Sequence, residues 1–124
     1  MAVHAWALDD AQCQQRVGQS IECLRCTQRL LPESAQVYRQ TRSFDEHSTP
    51  AGLRGDHSTK EGVWGRAIVE EGELRIEFGP PVSATVEGRP GAPIIIPPAV
   101  VHHVRLTGRV RFYVEFLRCS PAPG

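Results

Sequence analysis

Asp56-His57-Ser58-Thr59-Lys60-Glu61-Gly62-Val63-Trp64-Gly65 decides how the rest of this chain is read. It sets a histidine at the end of one short β-prone run, places a glycine as punctuation, and opens a second run rich in β-formers. Farther along, Pro97-Pro98-Ala99-Val100-Val101-His102-His103 repeats the combination of a breaker, a β-branched run and a histidine. Outward from these two stretches, everything after Gln36 falls into short β-rich runs separated by Gly and Pro, at 37–41, 53–57, 63–70, 73–78, 82–87, 93–96, 100–106 and 109–117. Short strands at that spacing predict an all-β sandwich or barrel. Gly72, within Glu70-Glu71-Gly72-Glu73, and Thr107-Gly108 each supply the glycine of a tight hairpin. Residues 43–50 are expected to form a helical turn or a loop across the barrel end.

The first thirty residues read differently. Residues 9–31 contain no proline, and Val17, Ile21 and Leu24 recur at spacings of four and three, which predicts an amphipathic helix opened by Asp9 or Asp10 as its cap. The expected organisation is a helical leader over 1–30, a barrel over 31–118 and a frayed tail over 119–124. With 124 residues the chain is long enough for one core and too short for two. Fourteen Lys and Arg balance fourteen Asp and Glu, so no net field steers it toward nucleic acid, and a small molecule or metal is the expected partner. No apolar run reaches the roughly 20 residues of a membrane span. The first residues lack the pattern of a secretory signal, so the expected compartment is the cytoplasm.

On Thr49-Pro50-Ala51-Gly52-Leu53, Asp56 to Gly65, Gly72-Glu73-Leu74, Pro97 to His103 and Val114-Glu115-Phe116, the stretch from about Leu31 to Arg118 resembles the TehB/YeaR-like cupin domain of tellurite-resistance-type proteins. The resemblance implies a double-stranded β-helix, the cupin jelly-roll barrel. A typical metal cupin sets two histidines two apart on one strand, a glutamate a few residues on, and a third histidine on a later strand. His57 holds the first of those positions, but Thr59 stands where the second histidine would be and Gly65 where the glutamate usually lies.

Period-two alternation puts Val100, His102, Val104 and Leu106 on one strand face and Val101, His103 and Arg105 on the other. His102 then points inward, and His103 is expected on a solvated face. In the last run, Arg111, Tyr113 and Glu115 alternate with Val110, Phe112, Val114 and Phe116. Alternation alone lets the polar set lie in solvent or line a cavity. The resemblance places the acidic residue of Val114-Glu115-Phe116 beside the barrel histidine, which would complete a His57, His102, Glu115 triad. Two imidazoles and a carboxylate suit Zn, Fe, Ni or Mn. Lys60 is either an ordinary solvated lysine or a cation that holds an anionic ligand. Trp64 and Tyr113 are expected as core and cavity wall.

Cys13, Cys23 and Cys26 form a second candidate site in the leader. Cys23-Leu24-Arg25-Cys26 has the spacing of a redox dithiol or of half a zinc site, for which His4 or Cys119 would be the remaining ligand; small buried cysteines packing the leader are the alternative. Three functions stay open: a cupin that binds a metal or small ligand, for which the resemblance implies a part in tellurite, oxyanion or nitrogen-oxide stress; a small metalloenzyme of dioxygenase or isomerase type; or an accessory module that docks through its cysteine leader. Sheet edges and the leader point to a homodimer as the expected assembly.

Overall fold

The computed structural model describes residues 31–119 apart from Glu33 and Pro81. The leader helix, with Cys13, Cys23 and Cys26, and the tail beyond Cys119 lie outside the described residues. Those described form eight strands and one helical turn: β1 (Ala35–Gln40), β2 (Phe44–Asp45), α1 (Ala51–Arg54), β3 (Val63–Gly72), β4 (Leu74–Phe78), β5 (Ala84–Gly88), β6 (Ile94–Ile96), β7 (His102–Arg105) and β8 (Val110–Cys119). Every pairing is antiparallel. One sheet runs β1-β8-β3-β6, with β2 also on β8; the other runs β5-β4-β7.

Alternation along each strand explains why the two sheets face each other. On β3 the side chains of Ala67 and Val69 turn one way and are buried, and on β8 Val110, Phe112 and Val114 do the same. Leu74, Ile76 and Phe78 of β4 and Val104 of β7 meet them from the second sheet to form one core. Leu74 and Phe112 have no exposed surface, and the Phe112 ring lies 5.9 Å from that of Phe44 in a tilted pair.

Three expectations are corrected. First, the ladders do not close into a barrel: among the described residues the sheets stay separate, and the pairing between His57 and His102 is an isolated bridge. Second, neither glycine segment makes a hairpin. β3 and β4 belong to different sheets, as do β7 and β8, so Gly72 and Gly108 mark places where the chain crosses between layers. Gly72 does this with φ of +75°, and a Cβ there would sit 2.0 Å from the Arg109 carbonyl oxygen, so both the backbone angle and the close approach call for glycine. A glycine bend in a sequence looks the same whether it folds a strand back or redirects it. The hairpin that does form joins β4 to β5, closed by the Ser83 N–H donating to the Gly79 carbonyl at 2.9 Å.

Third, residues 53–57 are not a strand. Pro50 precedes the turn with φ fixed near its ring value, Leu53 N–H donates to the Pro50 carbonyl and Gly55 N–H to that of Ala51, which makes α1 a single helical turn. Only Leu53 of that turn packs against the core. The helical turn or loop expected over 43–50 opens with β2 and then turns on Asp45, whose carboxylate accepts the N–H groups of His47 and Ser48 at 2.8 Å each.

Candidate functional site

The chain leaving α1 runs alongside β7 at one point. There the His57 N–H donates to the His102 carbonyl at 2.9 Å and the His102 N–H returns to the His57 carbonyl at 2.8 Å. The reciprocal pair fixes both Cα atoms and brings the imidazoles together, with ring centroids 4.2 Å apart at 62°. Each ring is oriented the same way: Nδ1 of His57 lies 2.9 Å from the Gly55 carbonyl and Nδ1 of His102 lies 2.8 Å from that of Val100. A carbonyl only accepts, so each Nδ1 carries a proton, and the uncharged form of either ring has its lone pair at Nε2. His102 is 2% exposed. Burial pushes its pKa down from the usual 6.5 to about 4; the Val100 carbonyl opposes this, and the neighbouring His57 and His103 add to it. At neutral pH the buried ring is uncharged.

Both histidines line a cavity of about 400 Å³ between the sheets. Ala67, Ile96, Phe112 and Val114 wall it from one sheet, and Leu74, Ile76 and Val104 from the other. Ser58, Thr59 and Lys60 border it after α1, and Tyr38, Arg39 and Arg118 border it where β1 meets β8. The Arg118 guanidinium stacks 4.3 Å above the Tyr38 ring.

Of the sequence-derived site residues, His57, His102 and Lys60 meet at this cavity, while Glu115, Tyr113 and Trp64 do not. Glu115 and Tyr113 alternate with the cavity-lining Val114 and Phe116 and so project from the opposite face of β8. There Glu115 accepts from Arg66 Nε at 2.7 Å. Trp64, opposite Leu117, is buried on that same far face. Glu115→Gln is therefore expected to cost about 1 kcal/mol of folding stability, as a partly buried ion pair does, and to leave ligand or metal binding at the cavity unchanged by calorimetric titration.

The two departures from the usual cupin ligand set have structural counterparts. The Thr59 hydroxyl donates to the Val63 carbonyl at 2.6 Å, so it is spent on the local turn. A Cβ at Gly65 would lie 3.1 Å from the Ile96 Cβ, so an apolar side chain holds the space that a glutamate would need. Among the described residues no three of His, Cys, Asp and Glu gather as a metal set. Cys119, at the end of β8, is an exposed free thiol.

His103 is not simply solvated. On the far side of β7, Nδ1 meets Asp56 at 2.9 Å and Nε2 meets Glu77 at 2.5 Å, and Arg105 reaches the second Glu77 oxygen at 2.9 Å. The His103 bond, then the Arg105 bond, hold the Glu77 carboxyl below the usual range. Asp56 is thereby tied to β7 next to the His57 bridge. Sequence reading missed Arg39 and Arg118 at the cavity. Extending the inward series Phe112, Val114, Phe116 by two residues would have found Arg118.

A family model described as TehB-like domain matches residues 39–114. Among solved structures, the chain is similar to TehB from Haemophilus influenzae at 22% identity and a TM-score of 0.65, covering 72% of this chain and 33% of that one. It is also similar to a protein from E. coli strain K12 at 19% identity and a TM-score of 0.66, covering 73% of this chain and 97% of that one. The chain thus spans about a third of the TehB it matches, and at these identities the likeness is one of fold. No curated protein matches the chain.

Proposed function

We propose, from the premise that the chain belongs to the TehB-like domain family, that it is a cupin-type module whose function is to bind a small molecule between its sheets. The observation behind this reading is the pair of imidazoles lining a largely apolar cavity, each with Nδ1 committed to a carbonyl, and His102 kept uncharged at neutral pH by its burial. A mostly apolar pocket with a few oriented polar groups is the general form of a small-molecule site.

A divalent metal is the second reading, favoured by the same carbonyl-anchored rings, an arrangement common to histidine ligands. Two imidazoles are one short of the three protein ligands of an open catalytic centre, so the residues present do not fit such a centre. Among the described residues, His57 and His102 are the ones that would hold an ion at the cavity. A part in tellurite or nitrogen-oxide stress rests on the family resemblance; the apolar walls suit an organic molecule better than a bare inorganic oxyanion. Among the described residues no helix is long and apolar enough to cross a membrane. A cytoplasmic setting and a homodimer through the β1 edge, where Val37 and Tyr38 are exposed, belong to the same proposal.

The test is calorimetric titration with 1-octanol near neutral pH. One equivalent should bind, with the hydroxyl proton donated to an imidazole Nε2. His102→Phe should weaken octanol binding about 3- to 10-fold, the worth of one hydrogen bond of about 1 kcal/mol. Absence of binding by octanol and by every other eight-carbon probe of the same length would remove the small-molecule reading.

A further inference from the structure

The cavity has a charge pattern that its apolar walls do not explain. Of the side chains lining it, Arg39, Lys60 and Arg118 carry full positive charge, and none carries a negative one. This is a bias in a chain whose fourteen basic residues equal its fourteen acidic ones. Other basic residues of the two sheets have carboxylate partners: Arg66 with Glu115, Arg75 with Glu87, Arg105 with Glu77 and Arg111 with Glu70. Arg39, Lys60 and Arg118 have none among the described residues, and Arg118 is held instead against the Tyr38 ring. They come from separate stretches of the chain, Arg39 on β1, Lys60 ahead of β3 and Arg118 on β8, so no local sequence feature accounts for their meeting at one opening.

Deepening the small-molecule reading above, on which it rests, we infer that the ligand is an organic anion: an apolar body lodged between the sheets and a carboxylate, or a head of like charge, held at the opening by Arg39, Lys60 and Arg118. The body follows from the walls, where Leu74, Ile76, Ile96 and Phe112 offer no polar side-chain atom to a small hydrophilic ion. The head follows from the three cations. The guanidinium of Arg118, held over the Tyr38 ring, has paired N–H groups suited to a carboxylate. Neutral His102 adds no charge to the interior, so the anionic group gains nothing by entering and is better placed at the basic opening.

Calorimetric titration of the full chain at low ionic strength with octanoate, 1-octanol, octylammonium and acetate separates the components. Octanoate should bind one equivalent about tenfold more tightly than octanol, the combined effect of three partly solvated charges. Octylammonium should bind more weakly than octanol, and acetate should not bind measurably. Raising the salt should weaken octanoate and leave octanol unchanged, a test that needs no variant. Arg39→Gln, Lys60→Gln and Arg118→Gln combined should bring octanoate to the level of octanol, and an unchanged urea-unfolding midpoint in that variant shows the fold intact. Equal binding of octanoate and octanol by the unaltered chain, or equal salt response, would overturn the anion assignment while leaving the cavity reading in place. Acetate binding as tightly as octanoate would overturn the apolar body. Failure of all three eight-carbon probes would remove the cavity reading itself.

Discussion

Phe112→Ala will cost about 3 to 5 kcal/mol of folding stability, the range for removing a buried aromatic ring. Phe112 is fully buried in the middle of β8, and β8 is the strand to which β1, β2 and β3 all pair. Its ring packs on Phe44 and belongs to the core that both sheets share. Removing it opens space that a strand anchored on both sides cannot collapse to fill, so the transfer loss and the cavity loss add. Against a total of about 5 to 15 kcal/mol for a typical domain, this is a large share. Phe112→Leu, which keeps most of the volume, should cost under about 1.5 kcal/mol. Urea unfolding followed by tryptophan fluorescence measures both. A loss below about 1 kcal/mol in the alanine variant would mean that the packing of the two sheets does not hold the fold.

The second large effect is one of pH. His102 titrates at about 4 in the folded chain against 6.5 when unfolded, so between these values the unfolded chain takes up a proton that the folded chain refuses. Stability is full above about pH 7 and falls as the pH drops toward 4. With about 1.4 kcal/mol per pKa unit, the loss approaches about 3 kcal/mol at the lower end. The carboxylates of Asp45, Glu46 and Glu77, whose pKa values are lowered in the fold, withdraw their stabilisation at still lower pH as they protonate. Urea unfolding at about pH 7.5 and about pH 4.5 should show the decline, and His102→Phe should remove most of it. An identical decline in that variant would assign the effect elsewhere.

The strands were legible because period-two alternation is a local signal. β3, β4 and β8 begin and end within a few residues of the expected runs, and the inward face of His102 follows from Val100 and Val104 on either side. The pairing of strands was not legible, since it depends on partners distant in sequence. Gly72 shows the difficulty: its positive φ serves a crossing between sheets as well as a hairpin, and only the position of β8 beneath it decides. The run from Leu53 to His57 misled because it is a short run between glycine-containing breaks with Leu53 and His57 in step with a period of two, whereas Pro50 and the carbonyl of Ala51 close a helical turn first. At the site, His57 and Lys60 were legible as cavity neighbours of His102. Glu115 was assigned from resemblance, and its alternation with Val114 and Phe116 sends it to the other face, where Arg66 engages it. Arg39 and Arg118 join only through the pairing of β1 with β8.

The bridge between residues 57 and 102 is made wholly by main-chain atoms, two N–H groups and two carbonyls. Nothing in it depends on the side chains attached at either end. A lineage could therefore exchange the imidazoles for other groups and keep the same pair of Cα positions aimed at the same space, so that new recognition would arise by substitution at two codons without rebuilding the scaffold. Here position is held by the peptide groups, and recognition is left to whatever side chains they carry.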